Sequence, residues 1–202
     1  MVRFFVPVRF LLGLVAITCF PAAAMAEEGG LYDTPPPDDA AYVRFLGFDE
    51  VTEIVAFGLV FDQDRLASGQ YNILHADTVA GVDAGDIITV VPDIQGAPVF
   101  IPEPERTRRK ILLRLVNLGY AEEVALKTAD GAVEIIGPTG PARLGFREVN
   151  PIQVGVNVFV VETALAAPIE LTLRPGEHMT IVVGPDGGVS LLEDRAIPVP
   201  MK

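Results

Sequence analysis

The chain has no tryptophan and a single cysteine, Cys19, so it cannot form an internal disulfide bond. Its stability must therefore come from buried apolar area rather than from covalent cross-links. Aromatic residues make up only 7% of the sequence, with four tyrosines among them. This scarcity argues against a carbohydrate-binding module, because such modules usually stack a row of aromatic rings on sugars.

Positive charge is also scarce, since 15 Lys and Arg residues stand against 27 Asp and Glu residues. Residues 1–26 contain two of the basic residues and none of the acidic ones, so the rest of the chain carries a net charge of −14. A surface with this charge repels nucleic acids and polyuronates at long range. We therefore expect no nucleic-acid partner and no extensive binding to an acidic polymer.

The first 26 residues have the pattern of a secretory signal peptide. Two arginines precede the apolar run Phe10–Phe20, and Ala24–Ala26 offers small residues at the two positions that signal peptidase reads. The run is about half as long as the roughly 20 apolar residues of a membrane span. A lipoprotein would carry a small residue, not threonine, before Cys19. We expect cleavage after Ala26 and export to the periplasm of a chain that does not span the membrane.

Proline and glycine set the organisation of the rest of the chain. Residues 27–40 contain three successive prolines and five acidic residues, which favours a flexible leader. Beyond it, the longest stretch free of both proline and glycine is Glu105–Leu118. Little room is left for helices of ordinary length, which is about 11 residues.

Period-two alternation predicts short β-strands. Four valines, from Val154 to Val160, occupy every second position, and Ile169, Leu171 and Leu173 alternate with polar residues. Similar patterns predict strands at Tyr42–Leu46, Glu53–Leu59, Ile87–Val91, Ile111–Asn117, Val124–Thr128, Val133–Ile136 and Met179–Val183. Asp130-Gly131 and the segment Pro185–Gly188 are typical of the tight turns that join such strands.

This spacing of strands and turns predicts an all-β fold of sandwich type. Two prolines and a run of cations at residues 101–110 mark a break in composition. We therefore predict two tandem small β-sandwich domains, at residues 41–101 and 111–202, joined by a linker at residues 102–110.

The sequence offers few groups for catalysis. After residue 26 it has two serines, Ser68 and Ser190, and two histidines, His75 and His178. Neither serine lies in a Gly-x-Ser-x-Gly motif, and a serine nucleophile needs an imidazole base beside it. The pairing of His75 with Asp77 lacks the local spacing of a zinc site. We predict no catalytic residue, no metal and no cofactor.

Two further motifs have competing interpretations. Asp62-Gln63-Asp64 begins like a calcium loop but lacks its glycine and closing glutamate, so we interpret it as a solvated strand end. The basic residues Arg106, Arg108 and Arg109, with Lys110, are either part of a solvated linker or a contact site. Together with Tyr32 in the leader, the three arginines are the candidate partner-binding residues, because interface anchors are often aromatic or arginine.

Several blocks of the second half resemble the AlgF family in order and spacing. They are ILLRLVNL (111–118), ALKTADG (125–131), FREVNPIQVGVNVF (146–159) and LRPGEHMTIVV (173–183). The match is thinner in the first half, where it includes Gly30-Leu31-Tyr32 and Tyr42–Phe45.

The resemblance implies a periplasmic protein of tandem β-sandwich domains that is required for O-acetylation of mannuronate residues in alginate or a related exopolysaccharide. It also implies a non-enzymatic adaptor that links periplasmic and membrane-bound acetyltransferase proteins. A carbohydrate-binding module that holds the polymer, or a direct O-acetyltransferase, remains the alternative.

Overall fold

The computed structural model describes residues 36–106 and 109–194, and their regular structure is almost entirely β-strand. The first part contains β1 (Ala40–Phe45), β2 (Glu53–Ala56), β3 (Leu59–Asp62), α1 (Gln63–Ala67), β4 (Asn72–His75), β5 (Ile87–Pro92) and β6 (Pro98–Pro102). The second contains β7 (Ile111–Asn117), β8 (Val124–Thr128), β9 (Glu134–Thr139), β10 (Arg143–Val149), β11 (Gln153–Val160), β12 (Thr163–Ala164), β13 (Ile169–Thr172), β14 (His178–Val183) and β15 (Val189–Glu193). The prediction of an all-β fold is confirmed. The predicted signal peptide lies outside the described residues.

These strands form three larger sheets and one separate hairpin. Sheet I has the order β4-β1-β5-β6, and sheet II has the order β10-β7-β14-β15. Sheet III has the order β12-β11-β8-β9, with β13 also paired to β11, and the hairpin consists of β2 and β3. The central pairs of sheets I and II, β1 with β5 and β7 with β14, are parallel.

Sheets II and III pack face to face as a β-sandwich. Alternate residues of β7, among them Leu113 and Leu115, meet Val156 and Val158 of β11 in one apolar core. Leu171 and Leu173 lie in the same core, and Ile169 packs against it. The predicted inward faces of β11 and of residues 169–173 are therefore confirmed. Burial stabilises each such side chain by about 1.5–3 kcal/mol.

One face of sheet I is covered by the β2–β3 hairpin and α1. Phe45 of β1 contacts Phe61 of β3 with ring centroids 4.7 Å apart, and Leu66 of α1 lies in the same cluster. Asp62 begins α1, because its side chain accepts a hydrogen bond from the Arg65 amide at 3.1 Å. Asp62 is therefore a strand end that caps the helix, and Gln63 and Asp64 lie in the first turn of α1.

The other face of sheet I packs on sheet II. Leu46, which follows β1, and Val91 of β5 cluster with Val116 and Val182 of sheet II. All seven residues of β7 are buried because both faces of sheet II are covered. Residues 36–106 and 109–194 belong to one compact unit. The division into domains at residues 41–101 and 111–202, with a linker at 102–110, stays a prediction.

The single strand predicted at Glu53–Leu59 is wrong, because the chain turns back at Phe57-Gly58. Both residues have positive φ, 55° and 77°, and together they form the two-residue loop between β2 and β3. Positive φ at both loop residues is the type I′ geometry, whose twist matches that of paired strands. Apolar residues continue through this turn, so the sequence pattern predicts one strand where there are two.

Candidate functional site

A ring of four charged side chains lies buried between sheets I and II. Arg44 of β1 contacts Glu103 at 2.9 Å and Asp194 at 3.1 Å. Arg114 of β7 pairs with the same two carboxylates. The four side chains are at most 4% exposed. Each arginine therefore bridges both acids, and each acid bridges both arginines.

The two halves of this ring are built in the same way. Arg44 lies opposite Thr89 in the parallel pair of sheet I, and Arg114 lies opposite Thr180 in the parallel pair of sheet II. In each half, the threonine hydroxyl donates to an acid 14 residues later, to Glu103 or to Asp194. The backbone N–H of Glu103 also donates to the carbonyl of Ile87, and that of Asp194 donates to the carbonyl of His178. Each carbonyl lies two residues before the threonine of its half. The ring is thus two-fold quasi-symmetric.

Strand alternation places the arginines at this interface. Val43 and Phe45 of β1 face the core that contains Phe61, so Arg44 between them faces sheet II. Leu113 and Leu115 of β7 likewise face sheet III, and Arg114 faces sheet I. A buried guanidinium is stable only with partners, and the two acids supply them.

Tyr71 and Arg106 complete the polar cluster. The Tyr71 hydroxyl donates to Glu103 at 2.7 Å and accepts from Arg106 at 2.8 Å and from Arg114 at 2.9 Å. The guanidinium groups of Arg44 and Arg106 lie 4.7 Å and 5.0 Å from the centroid of the Tyr71 ring. These contacts have cation–π geometry. We call Arg44, Glu103, Arg114 and Asp194, together with Tyr71, Arg106 and His178, the buried charge cluster.

Several buried nitrogen atoms of this cluster have no hydrogen-bond partner. They are Nε and Nη1 of Arg106, Nε of Arg114 and both ring nitrogens of His178. Burial lowers the pKa of Arg106 and of Arg114. Burial, reinforced by the charges of Arg106 and Arg114, lowers the pKa of His178 to about 4. The imidazole is therefore neutral at pH 7, with one nitrogen able to donate and one able to accept.

A cavity of about 440 Å³ adjoins the buried charge cluster. The loop between β13 and β14 forms one wall, and the ends of β14 and β15 form the other. Its lining includes Thr172, Arg174, Glu177, His178, Glu193 and Asp194. His178 and Asp194 therefore belong both to the cavity wall and to the cluster.

The candidate partner-binding residues fall in different places. Tyr32 and Arg108 lie outside the described residues. Arg109 is exposed, whereas Arg106 is 6% exposed and belongs to the buried charge cluster. Sequence reasoning missed this cluster. The available signal was a charged residue in the middle of an apolar strand, in YVRFL (42–46) and in LLRLV (112–116).

The serines and histidines considered for catalysis lie apart from one another. The Ser68 hydroxyl donates to the Arg65 carbonyl at 3.2 Å and accepts from the Gln70 amide. Ser190 is exposed on β15. His75 contacts Asp39 at 3.2 Å. Among residues 36–106 and 109–194, no hydrogen bond joins a serine hydroxyl to an imidazole.

Pairing of β1 with β4 creates one group that could hold a metal ion. Ligand atoms of Asp39, His75 and Asp77 lie within 4.8 Å of one another. Asp39 was not part of the sequence argument, because it lies 36 residues before His75. Imidazole and carboxylate are zinc ligands; His75 and Asp77 are exposed, and Asp39 is half-buried. The prediction of no metal therefore remains untested.

No helix in the described part of the chain is long and apolar enough to cross a membrane.

The family model and the relatives that match this chain all belong to the AlgF family. A family model described as "Alginate O-acetyl transferase AlgF" matches residues 12–180. The alginate biosynthesis protein AlgF of Pseudomonas aeruginosa is 29% identical over 179 residues, 82% of each chain. Its counterpart in Pseudomonas putida is 31% identical over 189 residues, 87% of this chain and 86% of the relative.

One solved structure, of the C-terminal domain of AlgF from P. aeruginosa, is also similar. It is 31% identical and covers 43% of this chain and 97% of that domain, with a TM-score of 0.37.

Proposed function

Because this chain belongs to the AlgF family of alginate O-acetylation proteins, we propose that it is a non-catalytic periplasmic adaptor. In this role it links the membrane-bound and periplasmic acetyltransferase proteins that modify the polymer. Its own contribution is binding, through the edges of its sheets.

The observation that carries the proposal is a pair of edge strands with exposed aromatic side chains. In the described structure, β10 pairs only with β7, and β6 pairs only with β5. Phe146 on β10 is 53% exposed, and Phe100 on β6 is 44% exposed. An edge strand offers unpaired backbone groups to a partner, and aromatic residues are frequent interface anchors.

The positions of the polar side chains support the same role. Ser68 is engaged at the end of α1, and His75 pairs with Asp39. An activated serine nucleophile needs its hydroxyl within about 3.2 Å of a base, and neither Ser68 nor His75 makes such a contact. The description of the family model favours a second candidate, direct O-acetyl transfer. The two functions predict opposite results for single-residue variants.

We expect Ser68→Ala, Ser190→Ala and His75→Ala each to leave acetylation within about twofold of wild type, because an adaptor needs no nucleophile. The measurement is acetyl content per uronate in polymer purified from a deletion strain complemented with each variant. Immunoblots establish equal accumulation. A stable variant among these three that loses acetylation by orders of magnitude would favour the transferase.

Phe146→Ser tests the proposed edge. We expect its affinity for acetyltransferase partners to fall by at least about tenfold, because truncating an interface anchor removes 2 kcal/mol or more. Ile94→Ser is the matched control, since Ile94 is 88% exposed in the turn between β5 and β6. Equal losses for the two variants, or none for either, would count against this edge as the docking surface.

For localisation, we propose that the exported chain begins at Glu27. Intact-mass measurement of the protein purified from the periplasm checks this. Retention of residues 1–26, or the added mass of a lipid on Cys19, would contradict it.

A further inference from the structure

We propose that Asp39, His75 and Asp77 form a binding site for one zinc ion or a similar divalent transition metal. A bound ion links the start of β1 to the end of β4, the edge strand of sheet I. This is the opposite of the sequence-based prediction that the chain binds no metal. The site is separate from the docking edge at Phe146, and neither proposal depends on the other.

Strand pairing brings Asp39 beside His75. β1 and β4 are antiparallel, with Ala40 opposite His75, so Asp39 directly precedes β1 next to the end of β4. The Ala76 amide donates to the Asp39 carbonyl at 2.9 Å, which extends the pairing beyond both strands. The backbone positions of the two ligands are therefore set by a regular ladder of hydrogen bonds.

A tight turn after β4 adds Asp77. The backbone N–H and the hydroxyl of Thr78 both donate to the His75 carbonyl at 2.9 Å. These bonds close a four-residue turn from His75 to Thr78, with Asp77 as its third residue. The turn thus supplies two ligands, and the start of the adjacent strand supplies the third.

The distances between the ligand atoms suit a shared metal ion. His75 Nδ1 lies 3.2 Å from each carboxylate oxygen of Asp39. Zinc binds nitrogen and oxygen ligands at about 2.0–2.2 Å, so two ligand atoms of a tetrahedral site lie about 3.4 Å apart. Ligand atoms of all three residues lie within 4.8 Å of one another. Because His75 and Asp77 are exposed, their side chains have room to adjust by the remaining distance.

The charges of the group also favour a cation. One imidazole carries at most a single positive charge, against the two carboxylates of Asp39 and Asp77. Within residues 36–106 and 109–194, no lysine or arginine forms an ion pair with either carboxylate. Neighbouring carboxylates repel each other, and a divalent ion bound to both removes the repulsion.

The ligand types indicate zinc rather than calcium or magnesium. Imidazole is a common ligand of zinc and related transition metals, whereas Ca²⁺ and Mg²⁺ are bound by oxygen atoms. The imidazole also distinguishes this group from the purely acidic patches expected on a chain with a net charge of −12. Three protein ligands leave one tetrahedral position for water. We therefore expect weaker binding than at a four-ligand structural site, with a dissociation constant on the order of 1 μM.

The expected role of the ion is local stabilisation. It holds the residue before β1 against the end of an edge strand that has only one neighbour in its sheet. At a free zinc concentration ten times the dissociation constant, the melting temperature should rise by about 3–6 °C. This role involves no acetyl transfer, so the proposal is compatible with retention of acetylation in His75→Ala.

Imidazole NMR tests the site directly, because the chain has only two histidines. Protein purified from the periplasm without a histidine tag is treated with EDTA, dialysed and titrated with zinc sulfate. We expect the His75 signals to shift and to saturate at one ion per chain. His178 is 3% exposed and serves as the internal control, so its signals should not change. The absence of a saturable His75 response would overturn the proposal.

Parallel titrations with magnesium and calcium chloride test the metal class. We expect dissociation constants at least about tenfold higher than for zinc, because neither ion favours an imidazole ligand. Equal affinity for calcium and zinc would contradict a zinc site and indicate unspecific attraction of cations to acidic side chains.

Asp77→Asn is the decisive variant, and Asp49→Asn is its matched control. Both aspartates are exposed, so each variant should fold, which circular dichroism checks. Loss of one of three protein ligands should raise the dissociation constant for zinc at least about tenfold in calorimetric titration, whereas Asp49→Asn should leave it unchanged. His75→Gln should abolish the zinc-dependent rise in melting temperature. Wild-type zinc affinity in Asp77→Asn, or an unchanged rise in His75→Gln, would contradict the proposal.

Discussion

Replacement of Glu103 with glutamine is expected to destabilise the protein by about 3–5 kcal/mol, the usual loss when one partner of a buried ion pair is removed. Glu103 accepts hydrogen bonds from Arg44, Arg114, Tyr71 and Thr89. Glutamine keeps the size but removes the charge. Three guanidinium groups would then face the single carboxylate of Asp194.

Urea unfolding monitored by circular dichroism measures this loss as a lower midpoint at an unchanged slope. Asp194→Asn should have a similar effect, because Asp194 occupies the quasi-symmetric position. Glu148→Gln on β10 is the control, since this carboxylate is exposed and its loss should change stability by no more than about 0.5 kcal/mol. A Glu103 variant as stable as the Glu148 variant would show that the ring does not hold sheets I and II together.

Apolar runs and period-two alternation predict most accurately the strands that have a neighbour on each side in their sheets, as β7 and β8 do. Residues 111–117 and 124–128 were predicted at the bounds of β7 and β8. The predicted turns at Asp130-Gly131 and Pro185–Gly188 lie between β8 and β9 and between β14 and β15. Such turns depend on local backbone preferences, which a sequence carries directly.

Edge strands were harder to predict. β6 (Pro98–Pro102) is apolar at every position, and β10 (Arg143–Val149) mixes charged and apolar residues irregularly, so neither sequence alternates between apolar and polar residues. An edge strand needs only one neighbour and one partly buried face. These are also the strands whose exposed phenylalanines support the adaptor proposal.

The buried charge cluster could not be predicted from local sequence patterns. Arg44 in its apolar strand indicates a buried charge, but its partners Glu103 and Asp194 lie 59 and 150 residues away. Their pairing depends on the packing of sheet I on sheet II, which no local pattern encodes. The repeated spacing of Thr89 to Glu103 and Thr180 to Asp194 becomes informative only when the equivalent registers of the two parallel pairs are known.

Acid should weaken the protein through His178, and His178→Gln should remove part of that weakening. The folded protein holds the His178 pKa at about 4, below its ordinary value of 6.5. Between these two values the unfolded chain binds a proton at this residue that the folded protein excludes. Stability from His178 is thus complete above pH 6.5 and is lost as the pH falls toward 4, by about 3 kcal/mol in total.

Unfolding free energies from urea titrations at pH 7, 6, 5 and 4 measure this effect. The wild-type curve should fall more steeply than the His178→Gln curve between pH 6.5 and 4, because only the wild type carries the excluded proton. The difference between the curves isolates His178 from the carboxylates that titrate in both proteins. Ser190→Ala is the control, since an exposed hydroxyl does not titrate in this range and its loss should leave the wild-type slope unchanged. Parallel curves for wild type and His178→Gln would mean that the His178 ring is protonated as easily in the folded protein as in the unfolded chain, and that the unpaired nitrogens are not sealed from water.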